Sequence, residues 1–252
     1  MEREPADILR EAEHSITKKY RAALWTPFIA AIKRYELISP GDRIAVCVSG
    51  GKDSMLLAKM MQMLARYTEI PFEAVNLVMD PGYSEANRQE KNPCYLCAKM
   101  RRGHLYSRAR ELGCSKIALG HHFNDVIETT VLAMLYGSQL QGMIPKVKSL
   151  NFEGMELIRP LYCVHEDDIV AWARHCGLEF LRCACRFTEK NADEHEESSK
   201  RKEVKALIRR LKETNPDVEK SIFHSIHAVN LDTFPGYKTR GELHSFLENY
   251  DE

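Results

Sequence analysis

The segment Asp42–Ser54 (DRIAVCVSGGKDS) places a short apolar run directly before two glycines and a helical pattern. Such a run, rich in β-branched residues, is typical of a strand that is buried on both faces of a sheet. Leu and Met then recur at helical spacing through SMLLAKMMQMLARY. A buried strand that enters a helix through a glycine turn is the repeating unit of α/β folds, so the segment predicts that fold class.

The same alternation continues along the chain. FEAVNLVMD predicts a second strand, SRARELGCSKIALG a helix and a strand, and DVIETTVLAMLYG and HEDDIVAWARHCG two further helices. The first forty residues predict helix, with an apolar face interrupted at Pro27. We therefore expect an α/β fold, a parallel sheet with helices on both faces, preceded by an N-terminal helical extension. Ligands bind beyond the carboxyl ends of such strands, which places residues 49–54, 80–83 and 121–125 along one edge.

Composition and charge narrow the class of protein. No run of about eighteen apolar residues occurs, and the charged start lacks the apolar stretch of a signal peptide, so we expect no membrane contact and a cytoplasmic location. The chain has 36 basic and 36 acidic residues, and any contact with nucleic acid must therefore rest on local patches. We expect three parts: a helical segment at residues 1–40, the α/β domain at 41–188, and a charged loop, basic helix and C-terminal tail at 189–252.

The SGGKDS segment at residues 49–54 has the features of a phosphate-binding loop. Two glycines let the backbone approach an anion closely, and the amino terminus of the following helix attracts negative charge. Asp53 would repel phosphates unless a cation such as Mg²⁺ lies between them. The alternative, a Gly-Gly turn with chance polar neighbours, fits the strand–helix context less well. The candidate phosphate ligands are Ser49, Gly50, Gly51, Lys52 and Ser54.

This loop resembles the SGGxDS loop of the PP-loop ATP pyrophosphatases, which bind the pyrophosphate of ATP and leave a substrate adenylylated. LGHHFNDVIET resembles the GHHxDDxxET-like block of the RNA-modifying members, with Asn124 in place of the first Asp. A packed, hydrogen-bonded role is the alternative for at least one of the two histidines, and a structural salt bridge is the alternative for Arg159. The nucleotide-site residues that the resemblance implies here are Gly120, His121, Asn124, Asp125, Glu128 and Arg159, with Asp53 and Asp125 on Mg²⁺.

Within that superfamily the chain most resembles the tRNA 2-thiocytidine synthetases (the TtcA type). The matching stretches are GDRIAVCVSGGKDS, CYLCAKMRRGHLY, LGCSKIALGHHFNDVIET, LIRPLYCVHEDDI and CACRF, which span most of residues 41–187. The resemblance implies the Rossmann-like fold of the adenine nucleotide alpha hydrolases, with ATP and Mg²⁺ as cofactors. It also implies tRNA as substrate, a sulfur donor such as a cysteine desulfurase or inorganic sulfide, and a homodimer.

The cysteines allow more than one site. Because disulfides are rare in the cytoplasm, the CxxC pair Cys94 and Cys97 indicates metal or redox chemistry. The resemblance implies a [4Fe–4S] cluster held by this pair and Cys183, with one iron left open. If Cys185 joins them, a closed Cys₄ zinc site is the alternative, and a metal-free persulfide relay is the third interpretation. The remaining cysteines fall on predicted strands or apolar helix faces and are expected in the core: Cys47, Cys114, Cys163 and Cys176.

Two further stretches bear on the partner and the fold. Lys99, Arg101 and Arg102 follow the CxxC, and they form either a solvated helix face or a contact to RNA phosphates that the basic helix at 200–210 could extend. Only thirteen residues separate Asp80 from Cys94, too few for the helix and strand that relatives place there. We favour a segment absent from the sequence over a lost element, because deleting a buried strand would expose the sheet.

The resulting hypothesis is an ATP-dependent tRNA sulfurtransferase. AMP would be transferred to the C2 oxygen of a cytidine, with Lys52 stabilising the developing phosphate charge, and sulfur carried on the cluster would then replace that oxygen. A related enzyme that makes 2-thiouridine is one alternative. Two others are an adenylylating ligase that uses ammonia on a small substrate and a non-enzymatic, zinc-stapled RNA-binding domain.

Overall fold

The computed structural model describes residues 5–78, 103–180 and 196–250, and it opens with the expected helices. Helix α1 (Pro5–Thr17) leads through a π-helical turn (Arg21–Trp25) into helix α2 (Thr26–Arg34). The interruption that we expected at Pro27 comes earlier, at residues 18–20. Pro27 stands in the first turn of α2. Its missing N–H removes no helical hydrogen bond there, so it starts the helix instead of breaking it.

A five-stranded sheet in the order β2-β1-β3-β5-β4 forms the centre of the molecule. The first strands are β1 (Arg43–Val48), β2 (Glu73–Val78) and β3 (Lys116–Ala118), followed by β4 (Lys146–Lys148) and β5 (Glu156–Ile158). Strand β1 pairs in parallel with β2 and β3, and β3 pairs in parallel with β5. Strand β4 is antiparallel to β5, so the predicted parallel sheet is confirmed for four strands and gains one antiparallel edge.

Helices connect and cover these strands. They are α3 (Lys52–Tyr67), α4 (103–111), α5 (Phe123–Gly137), α6 (Glu166–His175), α7 (Glu196–Thr214) and α8 (Val218–Ser225). Helix α5 ends on Gly137 as predicted, although Ser138 beyond it adopts the left-handed conformation, with φ of 51°. A hairpin of β6 (Gly236–Thr239) and β7 (Glu242–Ser245) follows the helices.

The core lies on both faces of strand β1. Ile44, Val46 and Val48 point into a cluster with apolar residues of α1, α2, α3 and α6. Ala45 and Cys47 point the other way, toward apolar residues of α4. This alternation follows from the two-residue period of a strand, and it confirms helices on both faces of the sheet. A third cluster joins α5 to α7 and α8, so the basic helix is fastened beside α5.

Strand β2 forms the edge of the described sheet opposite β4, and its Val78 is 73% exposed. The residues between Asp80 and Cys94, where the resemblance implies further elements, lie outside the described ranges. None of the helices in those ranges combines the length and the apolar character that crossing a bilayer requires.

Candidate nucleotide site

The SGGKDS loop leaves strand β1 and turns at once into helix α3. Gly50 has φ of 82°, a left-handed conformation that a side chain would strain. The Ser54 hydroxyl ties the turn together, because it accepts hydrogen bonds from the Ser49 amide and hydroxyl, both at 3.1 Å, and donates to the Gly51 carbonyl at 2.9 Å. Gly51 is the N-cap of α3 and supplies no side-chain cap. The first turn of the helix therefore keeps backbone N–H groups for an anion.

The loop after strand β3 lies directly against this turn. A β-carbon on Gly120 would lie 3.1 Å from the carbonyl carbon of Asp53 and the amide nitrogen of Ser54, and 3.2 Å from the Asp53 carbonyl oxygen. Only glycine permits this approach without displacing backbone. Because β1 and β3 are parallel neighbours, their carboxyl ends bring the two loops together, as the sequence predicted.

A cavity of about 550 Å³ opens between these loops, within the usual size range of ligand pockets. It has walls from the carboxyl ends of β1 and β3, from α4 and from the residue after β5. Its lining residues are Cys47, Ser49, Gly51, Asp53, Ser54, Leu105, Leu119, Gly120, His121, Asp125, Met143, Leu157 and Arg159. Eight of the residues proposed from the sequence are among them. Gly50, Lys52, Asn124 and Glu128 are not, and Asn124 and Glu128 line a second pocket with Glu166 and Lys205.

Two carboxylates face each other across His122. The Asp125 carboxylate accepts from the His122 amide at 3.1 Å, and the Asp125 amide donates to His122 Nδ1 at 3.3 Å, which forms a capping box at the start of α5. His122 Nε2 lies 3.6 Å from Asp125 Oδ2 and 4.0 Å from Asp53 Oδ1. His122 is only 5% exposed, so it is the packed, hydrogen-bonded histidine of the pair.

These carboxylates fit the requirements of Mg²⁺. Asp53 Oδ1 is buried and has no hydrogen-bond donor among the described residues. Mg²⁺ is usually held by one or two carboxylates together with substrate phosphates and water, and Asp53 and Asp125 supply such a pair beside the phosphate loop. No group of three or more His, Cys, Asp and Glu residues within the described ranges is arranged to hold a metal ion.

His121 and Arg159 form part of the cavity wall. Burial and the charge of Arg159 lower the pKa of His121 to about 4, so the imidazole is neutral at physiological pH. Arg159 is buried, and its Nη1 donates to the backbone carbonyl of Ile144. A positive guanidinium and a neutral imidazole at this wall can both contact a nucleotide without adding negative charge.

The amino group of Lys52 is held by two carboxylates. Its Nζ lies 3.1 Å from Asp53 Oδ2 and 3.2 Å from Glu166 Oε1. Burial alone would lower the pKa of Lys52, but these carboxylates raise the pKa above its ordinary value. Burial alone would likewise raise the pKa of Glu166, but the hydrogen bond from Lys205 and the charge of Lys52 lower it to about 2. Lys52 and Glu166 are therefore both charged at neutral pH.

Helix α7 supplies a second cation to the same edge. Arg201 contacts Asp125 Oδ1 through Nη2 at 2.8 Å and Glu128 Oε2 through Nε at 3.2 Å. Burial raises the pKa of Glu128, and the Arg201 guanidinium opposes that shift. The acidic residues of the GHHFNDVIET block are thus balanced by a helix some seventy residues further along the chain.

Comparison with known proteins identifies the family. A PP-loop domain model matches residues 99–190. The tRNA-cytidine(32) 2-sulfurtransferase of Syntrophotalea carbinolica is 35% identical over 229 residues, covering 79% of this chain and 86% of that protein. The enzyme of the same name from Anaeromyxobacter dehalogenans is 33% identical over 248 residues, covering 86% of this chain and 81% of its own length. The chain belongs to the tRNA-cytidine(32) 2-sulfurtransferase family.

A solved structure supports the fold of this tRNA-cytidine(32) 2-sulfurtransferase family member. The U34-tRNA thiolase NcsA from Methanococcus maripaludis, solved with its [4Fe–4S] cluster, superposes with a TM-score of 0.60 over 94% of this chain and 84% of that one, at 17% identity. The identification from sequence and the predicted PP-loop fold are both confirmed. At so low an identity, the comparison supports the fold alone.

The sequence did not predict several residues that contact the candidate site of this family member. Arg201 binds Asp125 and Glu128, Glu166 binds Lys52, Glu219 binds Asn124, and Lys205 binds Glu166. Glu166 and Glu219 carried no proposed role, and Arg201 and Lys205 lie in the basic helix that was considered only as an extension of an RNA contact. Asn124 makes a different set of contacts from the phosphate contact considered for it: its Oδ1 accepts from the Glu166 amide at 2.9 Å, and its Nδ2 donates to Glu219 at 3.3 Å. The only available signal was the acidic start of HEDDI beside a basic helix, a pattern that solvated helix faces share.

The cysteine site predicted from the sequence lies outside the described ranges. This applies to Cys94, Cys97, Cys183 and Cys185, and also to Lys99, Arg101 and Arg102. Leu105, eight residues after Cys97 in sequence, lines the cavity. Of the cysteines expected in the core, Cys47, Cys114 and Cys176 are buried and Cys163 is partly buried.

Proposed function

We propose that this chain uses ATP to replace the C2 oxygen of cytidine 32 in tRNA with sulfur. The observation that carries the proposal is the cavity between the SGGKDS loop and the Gly120–Asp125 segment, in a chain that covers 86% of a curated relative of that name. The cavity suits a nucleotide because its walls combine a helix amino terminus, a carboxylate pair for Mg²⁺ and cationic side chains.

The chemistry requires activation of a poor leaving group. Transfer of AMP from ATP to the C2 oxygen forms a phosphate ester and releases pyrophosphate; the sulfur then forms a bond to C2 as the C2–O bond breaks, and AMP departs. We assign the pyrophosphate to the turn at residues 49–54 and the developing phosphate charge to Lys52. Asp53 and Asp125 would hold Mg²⁺, and the wall of His121 and Arg159 would contact the nucleotide.

The proposal of an iron–sulfur cluster rests on three cysteine thiolates. Cys94, Cys97 and Cys183 would hold a [4Fe–4S] cluster, a group that the NcsA thiolase of the same fold contains. Three thiolates leave one iron without a protein ligand, and when bound the cluster supplies the sulfur. Cys185 is the discriminating residue, because a fourth thiolate would complete a closed zinc site instead.

The test measures thiolated tRNA directly. Protein purified and reconstituted without oxygen, with iron and sulfide, would be incubated with ATP, Mg²⁺ and tRNA from a strain lacking this gene. We expect nucleoside mass spectrometry to find 2-thiocytidine, mapped to position 32, with one AMP formed per sulfur added. Lys52→Ala should abolish both products while the variant keeps its bound iron.

Three results would contradict the proposal. Modified uridine in place of cytidine would assign the chain to the other thiolation chemistry. Formation of AMP that depends on a metabolite and ammonia, without tRNA, would make it a ligase. One zinc per chain, no iron and no AMP would leave only an RNA-binding role.

A further inference from the structure

The amino group of Lys52 has a fixed position before any phosphate arrives. It lies between Asp53 Oδ2 at 3.1 Å and Glu166 Oε1 at 3.2 Å, and the Lys52 side chain is 26% exposed. A lysine side chain loses considerable rotamer freedom when it is held in one place. Asp53 is the neighbouring residue of the same turn, whereas Glu166 reaches Lys52 from the start of helix α6.

Glu166 is itself held from two sides. Its backbone amide donates to Asn124 Oδ1 at 2.9 Å, so the GHHFNDVIET block fixes the first residue of α6. Its second carboxylate oxygen pairs with Lys205 of helix α7, and the Glu166 side chain is only 18% exposed. Rigid support of this kind is what keeps a functional group in productive geometry.

Charge balance decides what Glu166 can do to Lys52. An unbalanced carboxylate would cancel the lysine charge and weaken its attraction for phosphate. Lys205 balances Glu166 through the opposite oxygen, so Lys52 is oriented while its charge remains available to an anion.

We infer that Glu166 is a positioning residue for Lys52 and that Lys205 is its counter-ion, so that helix α7 completes the phosphate site. The matched PP-loop domain ends at residue 190, before this helix begins. The inference rests on the proposed function only in taking the bound anion to be the pyrophosphate of ATP.

A double-mutant cycle on anion binding tests the inference. The probe is inorganic pyrophosphate with Mg²⁺, titrated calorimetrically into the full chain. We expect Lys52→Ala to weaken binding about tenfold in the wild-type background and no more than about twofold in a Glu166→Gln background, since residues in one ion-pair network do not act additively. Asp167→Asn is the matched control, because it removes the same charge one residue along the helix from an exposed position; there the tenfold loss should persist.

An equal loss for Lys52→Ala in both backgrounds would overturn the inference, because Glu166 would then not act through Lys52. A larger loss in the Glu166→Gln background would also overturn it, by showing that Glu166 masks the lysine.

Lys205→Met provides a second route should Glu166→Gln fold poorly. It leaves Glu166 uncompensated against Lys52, so we expect about threefold weaker pyrophosphate binding, which disappears when Glu166 is also replaced. Unchanged binding in Lys205→Met would remove the counter-ion role. Neither measurement needs tRNA or the cluster. A failure of tRNA thiolation would therefore reject the proposed function alone, and additive binding losses would reject this inference alone.

Discussion

Replacing Gly120 with alanine would test whether the two loops of the nucleotide site must touch. The added methyl group would lie 3.1 Å from two backbone atoms of residues 53 and 54 and 3.2 Å from a third. Backbone atoms cannot rotate away as the end of a side chain can. Either the phosphate turn or the loop after β3 must therefore move by a few tenths of an ångström.

The expected loss of stability in Gly120→Ala can be estimated from the free energy that overpacking costs in other proteins. Extra methylene groups in well-packed sites cost typically 1–3 kcal/mol, and because this site lies at an edge we expect about 1–2 kcal/mol of stability to be lost. For a chain of this size that loss lowers the midpoint of thermal unfolding by about 2–8 °C. The moved turn also carries Asp53 and Ser54, so we expect ATP affinity to fall about tenfold, equivalent to about 1.4 kcal/mol.

Calorimetric unfolding and ATP titration would measure the two effects. Gly137→Ala is the matched control, because a β-carbon there meets nothing within 4 Å and alanine favours the helix that the residue ends. That variant should be as stable as the wild type or slightly more so. A Gly120→Ala protein with wild-type stability and ATP affinity would refute the reasoning, since the loops would then not need their close contact.

Three further predictions concern other parts of the site. The pKa of His121 is lowered from 6.5 to about 4 in the folded chain. Between these two pH values His121 is therefore protonated in the unfolded chain and neutral in the folded chain. Stability should fall as the pH is lowered through that range, and His121→Gln should remove up to about 3 kcal/mol of the decline, measured by urea unfolding. Arg201→Met removes the cation that opposes the effect of burial on the raised pKa of Glu128, so its unfolding temperature should drop below that of the wild type at neutral pH, and the gap should narrow in acid as Glu128 becomes protonated. Cys183→Ser should lose bound iron, measured per chain, while it keeps wild-type affinity for pyrophosphate.

Each of these has a control on the same chain. Exposed His224→Gln should leave the acid decline unchanged, and a wild-type slope in His121→Gln would show that His121 is not buried in neutral form. Exposed Arg209→Met should behave as the wild type at every pH; an equal drop in both arginine variants would point to general helix destabilisation. Cys163→Ser should retain iron, and full iron in Cys183→Ser would assign the metal to other thiols.

The arrangement of the sheet could be predicted because its signals are local. Strand β1 is an apolar run buried on both faces, and α3 follows it with regular apolar spacing, so period and length sufficed. Strand β4 gave no such signal: it has three residues, two of them lysines, and it forms only because β5 offers an edge. The shifted helix break near Pro27 is similar, since the same residue can end a helix or begin one.

The residues of the site also differ in whether their signals are local in the sequence. The loops at residues 49–54 and 120–125 were predictable because each follows its own strand, and parallel strands bring their ends together. Glu166, Arg201 and Lys205 were not, since their roles come from ion pairs between helices that are distant in sequence. An acidic first turn and a basic helix fit equally well on a solvated surface, and only packing of α7 against α5 decides between these.

The position of helix α7 also bears on when the site forms during synthesis. The phosphate turn, its lysine and the acidic residues of α5 leave the ribosome well before Arg201 and Lys205, which neutralise Asp125, Glu128 and Glu166. Until then Asp125 and Glu128 lack their arginine partner and Glu166 is paired only with Lys52, so this edge carries excess negative charge that repels the triphosphate. A growing chain therefore has its sheet before it has a balanced nucleotide site, and nucleotide would be bound only once residues beyond 205 have emerged.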